Sequence, residues 1–386
     1  MSGLPTAAAT VGLREVTKRY DAGTHPAVDA LTLEIPAGEV CVLVGPSGCG
    51  KTTALKMINR LIEPTSGAIT INGRDARALA PAQLRRRIGY VIQQVGLLPH
   101  LTIAANVATV PKLLGWERHR ITTRVTEMLD LVGLPADEYG SRYPSELSGG
   151  QQQRIGLARA LAADPPVMLM DEPFSAVDPI TRDRLQNDFL RLQRTVAKTV
   201  VFVTHDIDEA VKMADRIAVM RDGRLVQYAT PAELLANPVD AFVADFVGAD
   251  RALKRLSLMR VADLALTAAP SVTAADHVEI VHSRIGGGDL EPIDGYLLLT
   301  DASGRPQGWV TVSRLNSGGR VGDTAAIAAQ PLLQPQTTAR DALSQMFDAG
   351  ARCAAVVDTD GVVTGVVEIA TIARVAHPDP MEASLG

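Results

Sequence analysis

An α/β fold is predicted for the first two thirds of this chain, with a mixed sheet at the core, an antiparallel β layer beside it and an inserted helical lobe. A smaller α+β module follows. Three observations predict this. Short apolar runs at 40–44, 167–170 and 199–203 read as strands buried on both faces of a central sheet. The stretch 95–163 turns mostly helical, broken at Pro99, Pro111, Gly133-Leu134-Pro135 and Tyr143-Pro144. In the last third, Asp301, Gly304, Gly308 and Val310 recur as Asp358, Gly361, Gly365 and Val367 at one constant displacement, within two strand-turn-strand patterns.

Taken in order, residues 1–10 read as a flexible tail. Residues 11–40 alternate in strand fashion, with turns at Asp21-Ala22-Gly23 and Pro36-Ala37-Gly38, which makes them the antiparallel layer. A helix is expected over 51–62, ended by Pro64, and an amphipathic helix after Asp183 leads into the strand at 199–203. A hairpin is expected over 217–226 around Arg221-Asp222-Gly223. The domains then run 11–250 and 251–386, the second holding copies at about 259–320 and 326–378. Helical patterns at 338–349 and 369–375 flank the second strand-turn-strand pattern, whereas Gly286-Gly287-Gly288 makes the first copy looser.

Composition narrows the function. The chain has 386 residues, 46% of them hydrophobic, which is ample for packed cores. Its formal net charge is −5 with Lys and Arg spread along the sequence, so the electrostatic footprint of a nucleic-acid binder is absent. Three cysteines, Cys41, Cys49 and Cys353, make no disulfide framework and point to a reducing compartment. No apolar stretch approaches the length that crosses a bilayer, and residues 1–10 lack the pattern of a secretory leader. If this chain powers transport, the pore is another polypeptide.

The chemistry is written in a few motifs. Gly45-Pro46-Ser47-Gly48-Cys49-Gly50-Lys51-Thr52 fits G-x-x-x-x-G-K-[ST] and follows the apolar run Val40-Cys41-Val42-Leu43-Val44. Glycines let consecutive backbone N–H groups turn inward around phosphate oxygens, and the helix beginning near Lys51 adds its positive end. Lys51 then reaches the β- and γ-phosphates, and the Thr52 hydroxyl ligates Mg²⁺. Val167-Met168-Leu169-Met170-Asp171-Glu172 delivers two acids at a strand end: Asp171 for the metal, Glu172 to polarise the attacking water. Thr199-Val200-Val201-Phe202-Val203-Thr204-His205 places His205 on the edge where α/β sheets bind ligands, as a γ-phosphate contact. Cys49 lies at a helix N-terminus, a setting that raises thiol reactivity. Downstream stands Leu147-Ser148-Gly149-Gly150-Gln151-Gln152-Gln153-Arg154, at the start of a helix.

Together these residues resemble the nucleotide-binding subunits of ABC transporters over residues 11 to about 250. The resemblance implies an ATP hydrolase with ATP and Mg²⁺ as its cofactors. It implies that Thr53 joins the loop in holding nucleotide, that Tyr20 of Lys18-Arg19-Tyr20 stacks on adenine, and that Gln93 of Tyr90-Val91-Ile92-Gln93 is a metal and coupling residue. The alternative for Tyr20 is packing within a β-sheet. Ser175-Ala176-Val177-Asp178 resembles the D-loop, with Val for the commoner Leu. By the same likeness, Ser148, Gly149, Gly150 and Gln151 face the γ-phosphate held by Lys51 of a second copy, so the subunits work as head-to-tail homodimers.

Residues 246–258 and 88–100 resemble importer subunits for quaternary-amine osmoprotectants such as glycine betaine, choline and carnitine. The resemblance implies transmembrane permease subunits as partners, a substrate-binding protein indirectly, no nucleic acid, and a peripheral place on the cytoplasmic face of the membrane. Residues 251–386 resemble a pair of CBS modules of regulatory type. Where nucleotide-binding CBS modules carry a Thr and then an Asp, this chain has Thr311 and Arg314 in one copy and Glu368 and Thr371 in the other. The alternatives are an importer for another small solute and a soluble ABC ATPase without a transport role.

Overall fold

The computed structural model describes residues 6–20, 25–92, 96–175 and 177–376. The chain divides into two compact units, Met1–Gly248 and Ala249–Gly386. In the first, β1 (Val11–Lys18), β2 (Val28–Ile35), β3 (Val40–Val44) and α1 (Lys51–Ile58) are followed by β4 (Ser66–Ile71), β5 (Arg74–Asp75), α2 (Pro81–Arg85) and β6 (Ile88–Val91). The helical lobe holds α3 (Ile103–Val107), α4 (Thr109–Leu113), α5 (Arg118–Leu131), α6 (Ala136–Tyr139) and α7 (Gly149–Leu161). The chain then returns to the core through β7 (Val167–Asp171), α8 (Pro179–Val196), β8 (Thr199–Val203), α9 (Ile207–Met213), β9 (Arg216–Arg221) and β10 (Arg224–Ala229). Helices α10 (Pro231–Ala236) and α11 (Ala241–Val247) complete the unit.

Two sheets result. One has the order β10-β9-β3-β8-β7-β6, parallel throughout except for the antiparallel edge pair β9 and β10; the other, β2-β1-β4-β5, is antiparallel. Alternation along the central strands explains why they are apolar throughout. Val42, Val44, Met168, Met170, Val200 and Phe202 face the helices of one side. Cys41, Leu43, Val167, Leu169, Val201 and Val203 face α1 and the antiparallel layer on the other. Register pairs Leu43 and Asp171 with Val203, so β3, β7 and β8 end level. That shared carboxyl edge is where their loops gather.

Two helix boundaries differ from expectation. Helix α1 ends at Ile58 instead of 62, because Arg60 adopts φ 49 and the Leu61 N–H turns back to the Lys56 carbonyl at 2.9 Å. Helix α8 begins at Pro179, ahead of Asp183, because the Asp178 side chain caps it and proline suits its first turn.

The second unit opens with α12 (Arg251–Leu258), followed by β11 (Ser271–Thr273), α13 (Val278–Gly286), β12 (Tyr296–Thr300) and β13 (Pro306–Thr311). A second copy holds β14 (Leu332–Leu333), α14 (Ala339–Asp348), β15 (Cys353–Val357), β16 (Val363–Glu368) and α15 (Ile369–Ala376). Each forms a three-stranded sheet with one parallel and one antiparallel pair. The recurrent residues hold the hairpins. Asp301 Oδ1 accepts from the Ser303 and Arg305 amides, and Asp358 Oδ1 from those of Asp360 and Val362, all at 2.8–2.9 Å. At Gly308 a Cβ would stand 2.8 Å from the Ile327 carbonyl oxygen, so only glycine fits where Ile327 bridges to Trp309. The copies diverge at their ends: α15 closes the second, whereas a single 3-10 turn at Val312–Arg314 closes the first. Among the described residues, no helix is long and apolar enough to cross a membrane.

Candidate active site

The loop between β3 and α1 is shaped by what surrounds it. A Cβ at Gly45 would stand 2.1 Å from the Met220 carbonyl oxygen, and one at Gly50, where φ is 103, 2.3 Å from that of Ala27. Gly50 is also the N-cap of α1 and supplies no side-chain cap, so the first-turn amides are left for an anion. Lys51 is only 6% exposed, and its Nζ donates to the Gly45 and Pro46 carbonyls at 2.7 and 2.9 Å. The ammonium therefore sits inside the loop.

At the level ends of β7 and β8 the acids and the histidine arrive. Thr52 Oγ1 donates to Asp171 Oδ1 at 2.9 Å, which brings together the two side chains expected at the metal. Burial pushes the Asp171 carboxyl above its usual range, and the Thr52 hydrogen bond and the Lys56 and Lys51 charges act against that rise. The next residue, Glu172, adopts φ 44, a strained conformation for a non-glycine residue, with its N–H donating to the Val203 carbonyl at 2.9 Å. His205 Nδ1 lies 3.3 Å from Glu172 Oε1.

A cavity of about 470 Å³ opens here, lined by Ala27, Ser47, Gly48, Gly50, Lys51, Thr52, Thr53, Glu172 and His205. All but Ala27 are residues to which the sequence motifs and the family likeness point. Ala27 precedes β2 and carries no motif; only the chain's return beside the loop, through its N–H to the Lys18 carbonyl at 2.8 Å, places it there. The residues fit a nucleotide with its metal. Free amides and an ammonium suit phosphate, and adjacent hydroxyl and carboxylate oxygens suit a hard divalent cation such as Mg²⁺.

Other expected residues lie elsewhere. Tyr20 is 47% exposed, with Lys18 Nζ 5.2 Å from its ring centre, and does not line the cavity. Cys49 is buried, with its sulfur 3.6 Å from Lys51 Nζ, so the accessible thiol expected from its position is not found. Gln93 falls outside the described residues. Ser148 is the N-cap of α7 in a reciprocal box: Gln151 N–H donates to Ser148 Oγ at 3.3 Å and Ser148 N–H to Gln151 Oε1 at 2.9 Å. Gly149 is exposed, with open space where a Cβ would be. Asp178 accepts from the Thr181 amide at 3.0 Å. None of Ser148, Gly149, Gly150, Gln151 and Asp178 lines the cavity among the described residues.

The ABC transporter family model matches residues 28–175, and the CBS domain model residues 330–377. The osmoprotectant import ATP-binding protein OsmV of Salmonella typhimurium is 47% identical over 346 residues, 88% of each chain. The glycine betaine/carnitine/choline transport ATP-binding protein OpuCA of Bacillus subtilis is 43% identical over 374 residues, 95% of this chain and 96% of that one. A solved dimeric structure of the ATP-binding cassette MJ0796, in a post-hydrolysis state bound to ADP and Pi, aligns with a TM-score of 0.51 and 36% identity. It covers 57% of this chain and 98% of that one. From the phosphate loop, the acid pair and these likenesses together, the chain belongs to the ABC transporter family as an ATP-hydrolysing subunit.

Proposed function

We propose that this chain drives uptake of a quaternary-amine osmoprotectant, of the glycine betaine, choline, carnitine or proline type, through separate transmembrane subunits. The observation that carries the chemistry is the cavity that gathers Lys51, Thr52, Glu172 and His205. The solute class is supported by relatives whose likeness runs the length of the chain, into the C-terminal module.

Each side chain then has a task. Amides of the glycine loop and the Lys51 ammonium bind the phosphates, Lys51 turning from the Gly45 and Pro46 carbonyls toward more negative oxygens. Thr52, Asp171 and Gln93 would hold Mg²⁺, which when bound offsets negative charge on the β- and γ-phosphates. Glu172 orients the attacking water and accepts its proton, and His205 steadies the Glu172 carboxylate while contacting the γ-phosphate. Tyr20 stacks on the adenine. Ser148, Gly149, Gly150 and Gln151, together with Asp178, complete the site from a second copy, so that closure of the homodimer assembles the catalyst. In this reading the subunit sits at the cytoplasmic face of the membrane, Gln93 and the helical lobe convey closure to the permease, and an external binding protein delivers solute to that permease.

We assign 11–250 to the ATPase domain and 251–386 to a CBS pair that restrains transport. The test is co-purification with the membrane protein the chain retains, reconstitution in vesicles, and measurement of ATP-dependent uptake of labelled glycine betaine, choline, carnitine and proline. Uptake of none of these, with uptake of another solute, removes the assigned solute class. Truncation after Arg251 that leaves the salt and nucleotide dependence of uptake unchanged removes the regulatory role.

A further inference from the structure

The loops that carry Glu172 and His205 are joined twice. On one side the two side chains meet, 3.3 Å apart. On the other a longer route runs through Arg182, in the first turns of α8. Ser175 Oγ donates to the Glu172 carbonyl at 2.9 Å, and two residues on, the Val177 carbonyl accepts from Arg182 Nη2 at 3.1 Å. Nη1 of the same guanidinium stands 4.0 Å from Asp206 Oδ2, and Asp206 follows His205 directly. The contacts close a ring through Glu172, Ser175, Val177, Arg182, Asp206 and His205.

We propose that Arg182 is a positioning residue for ATP hydrolysis, holding His205 against Glu172 by tying the backbone behind one to the backbone behind the other. The inference rests on the reading of Glu172 and His205 as the hydrolytic pair. Both anchors of the tie are fixed. Asp206 Oδ1 accepts from the Asp208 and Glu209 amides at 2.8 and 3.3 Å, capping α9, and its own N–H donates to Thr204 Oγ1 at 3.0 Å. Val177 precedes Asp178, which caps α8. A guanidinium suits the bridge because its separate nitrogens face two partners at once, the Val177 carbonyl by a hydrogen bond and the Asp206 carboxylate by an ion pair at 4.0 Å, which a single ammonium cannot imitate. The placement carries a cost, because Arg182 Nε is buried with no hydrogen-bond acceptor among the described residues, an unfavourable state for a donor.

Arg182 also lies within electrostatic reach of Glu209, a buried carboxylate hydrogen-bonded by Gln186 Nε2 at 2.9 Å, so a purely structural role must be separated from a positioning one. The full-length chain is measured for ATP turnover, ATP dissociation constant and thermal midpoint as Arg182→Met, Arg182→Lys, His205→Ala, Glu172→Gln and the double variant Arg182→Met/His205→Ala. Because small misplacements of catalytic groups cost up to about a hundredfold, Arg182→Met is expected to lower kcat about 10- to 100-fold with the ATP dissociation constant within about threefold. Arg182→Lys, keeping the charge but not the fork, recovers part of the loss. Residues acting as one unit are non-additive, so the double variant turns over within about twofold of His205→Ala alone. Unchanged kcat in Arg182→Met, or losses that multiply in the double variant, overturn the proposal. Should Arg182→Met not fold, Arg182→Lys carries the same comparison: reduced kcat at an unchanged midpoint, not multiplied by His205→Ala, supports the tie, and wild-type kcat overturns it. Wild-type turnover in both Glu172→Gln and His205→Ala removes the underlying reading and the inference with it. Loss in those two with an indifferent Arg182→Met removes the inference alone.

Discussion

Helices α1 and α7 each have a glycine at the N-terminus, Gly50 as the N-cap of α1 and Gly149 as the first residue of α7, and each carry a sequence motif there, yet they are finished in opposite ways. The start of α1 has no side-chain cap; its amides open into a cavity that also holds an ammonium, an acid and a histidine. The start of α7 is capped by Ser148 and Gln151 in a reciprocal box, with Gly149 facing open space. The first end has the chemistry of a reaction centre within its own fold. The second has Ser148 and Gln151 satisfying each other's amides and an exposed Gly149, with no ionisable side chain among its first residues Ser148 to Gln151. The contrast teaches that the α1 end is left open beside reactive side chains, whereas the α7 end is already capped, which is what the proposed role of α7 as a surface applied to a second copy requires.

The comparison breaks most visibly at Glu172. Replacing it with Gln is expected to slow hydrolysis on the order of a hundredfold to ten-thousandfold while ATP still binds, and near-normal turnover would remove it as the base. Lys51→Ala is expected to weaken ATP binding by about 1.5–3 kcal/mol, the range for a charged hydrogen bond, as read by titration calorimetry. An unchanged dissociation constant would count against the loop as the phosphate site. Ser148→Ala sharpens the contrast: it should lower the stability of α7 by about 1 kcal/mol through loss of the cap, and reduce turnover while leaving ATP affinity of the isolated subunit unchanged. An altered affinity in the monomer would place Ser148 within its own chain's site. The smallest expected effect concerns the thiols. Burial raises Cys41 to about 12 and Cys353 to about 11, so at pH 8 about a thousandth or less of either is thiolate. With Cys49 buried as well, maleimide should label the native chain far more slowly than the unfolded one, and rapid native labelling that Cys49→Ser abolishes would show the loop opening to solvent.

Much of this was legible because the motifs specify backbone. The loop from Gly45 to Thr52 announces its glycines, and the apolar runs before Gly45, Asp171 and His205 announce that all three leave one sheet edge. The contacts that make those glycines necessary were not legible, since the Met220 and Ala27 carbonyls come from distant segments. The early stop of α1 at Ile58 hides in a left-handed Arg60, a residue with no turn preference to give it away. The early start of α8 is legible in Asp178-Pro179, a cap followed by a first-turn proline. For Cys49, loop position alone points to an accessible thiol, yet it says nothing of which way the side chain turns, and the sulfur turns inward beside Lys51.

The backbone of Glu172 has a further consequence. A left-handed φ of 44 suits glycine, while for other L residues that region costs roughly 1–2 kcal/mol. Glu172→Gly should therefore melt above the native chain while hydrolysing almost nothing, and a midpoint at or below that of the native chain would show that the strain is compensated in place. A screen for heat-resistant variants of this subunit would then enrich for broken ones, because durability and turnover compete for the same residue.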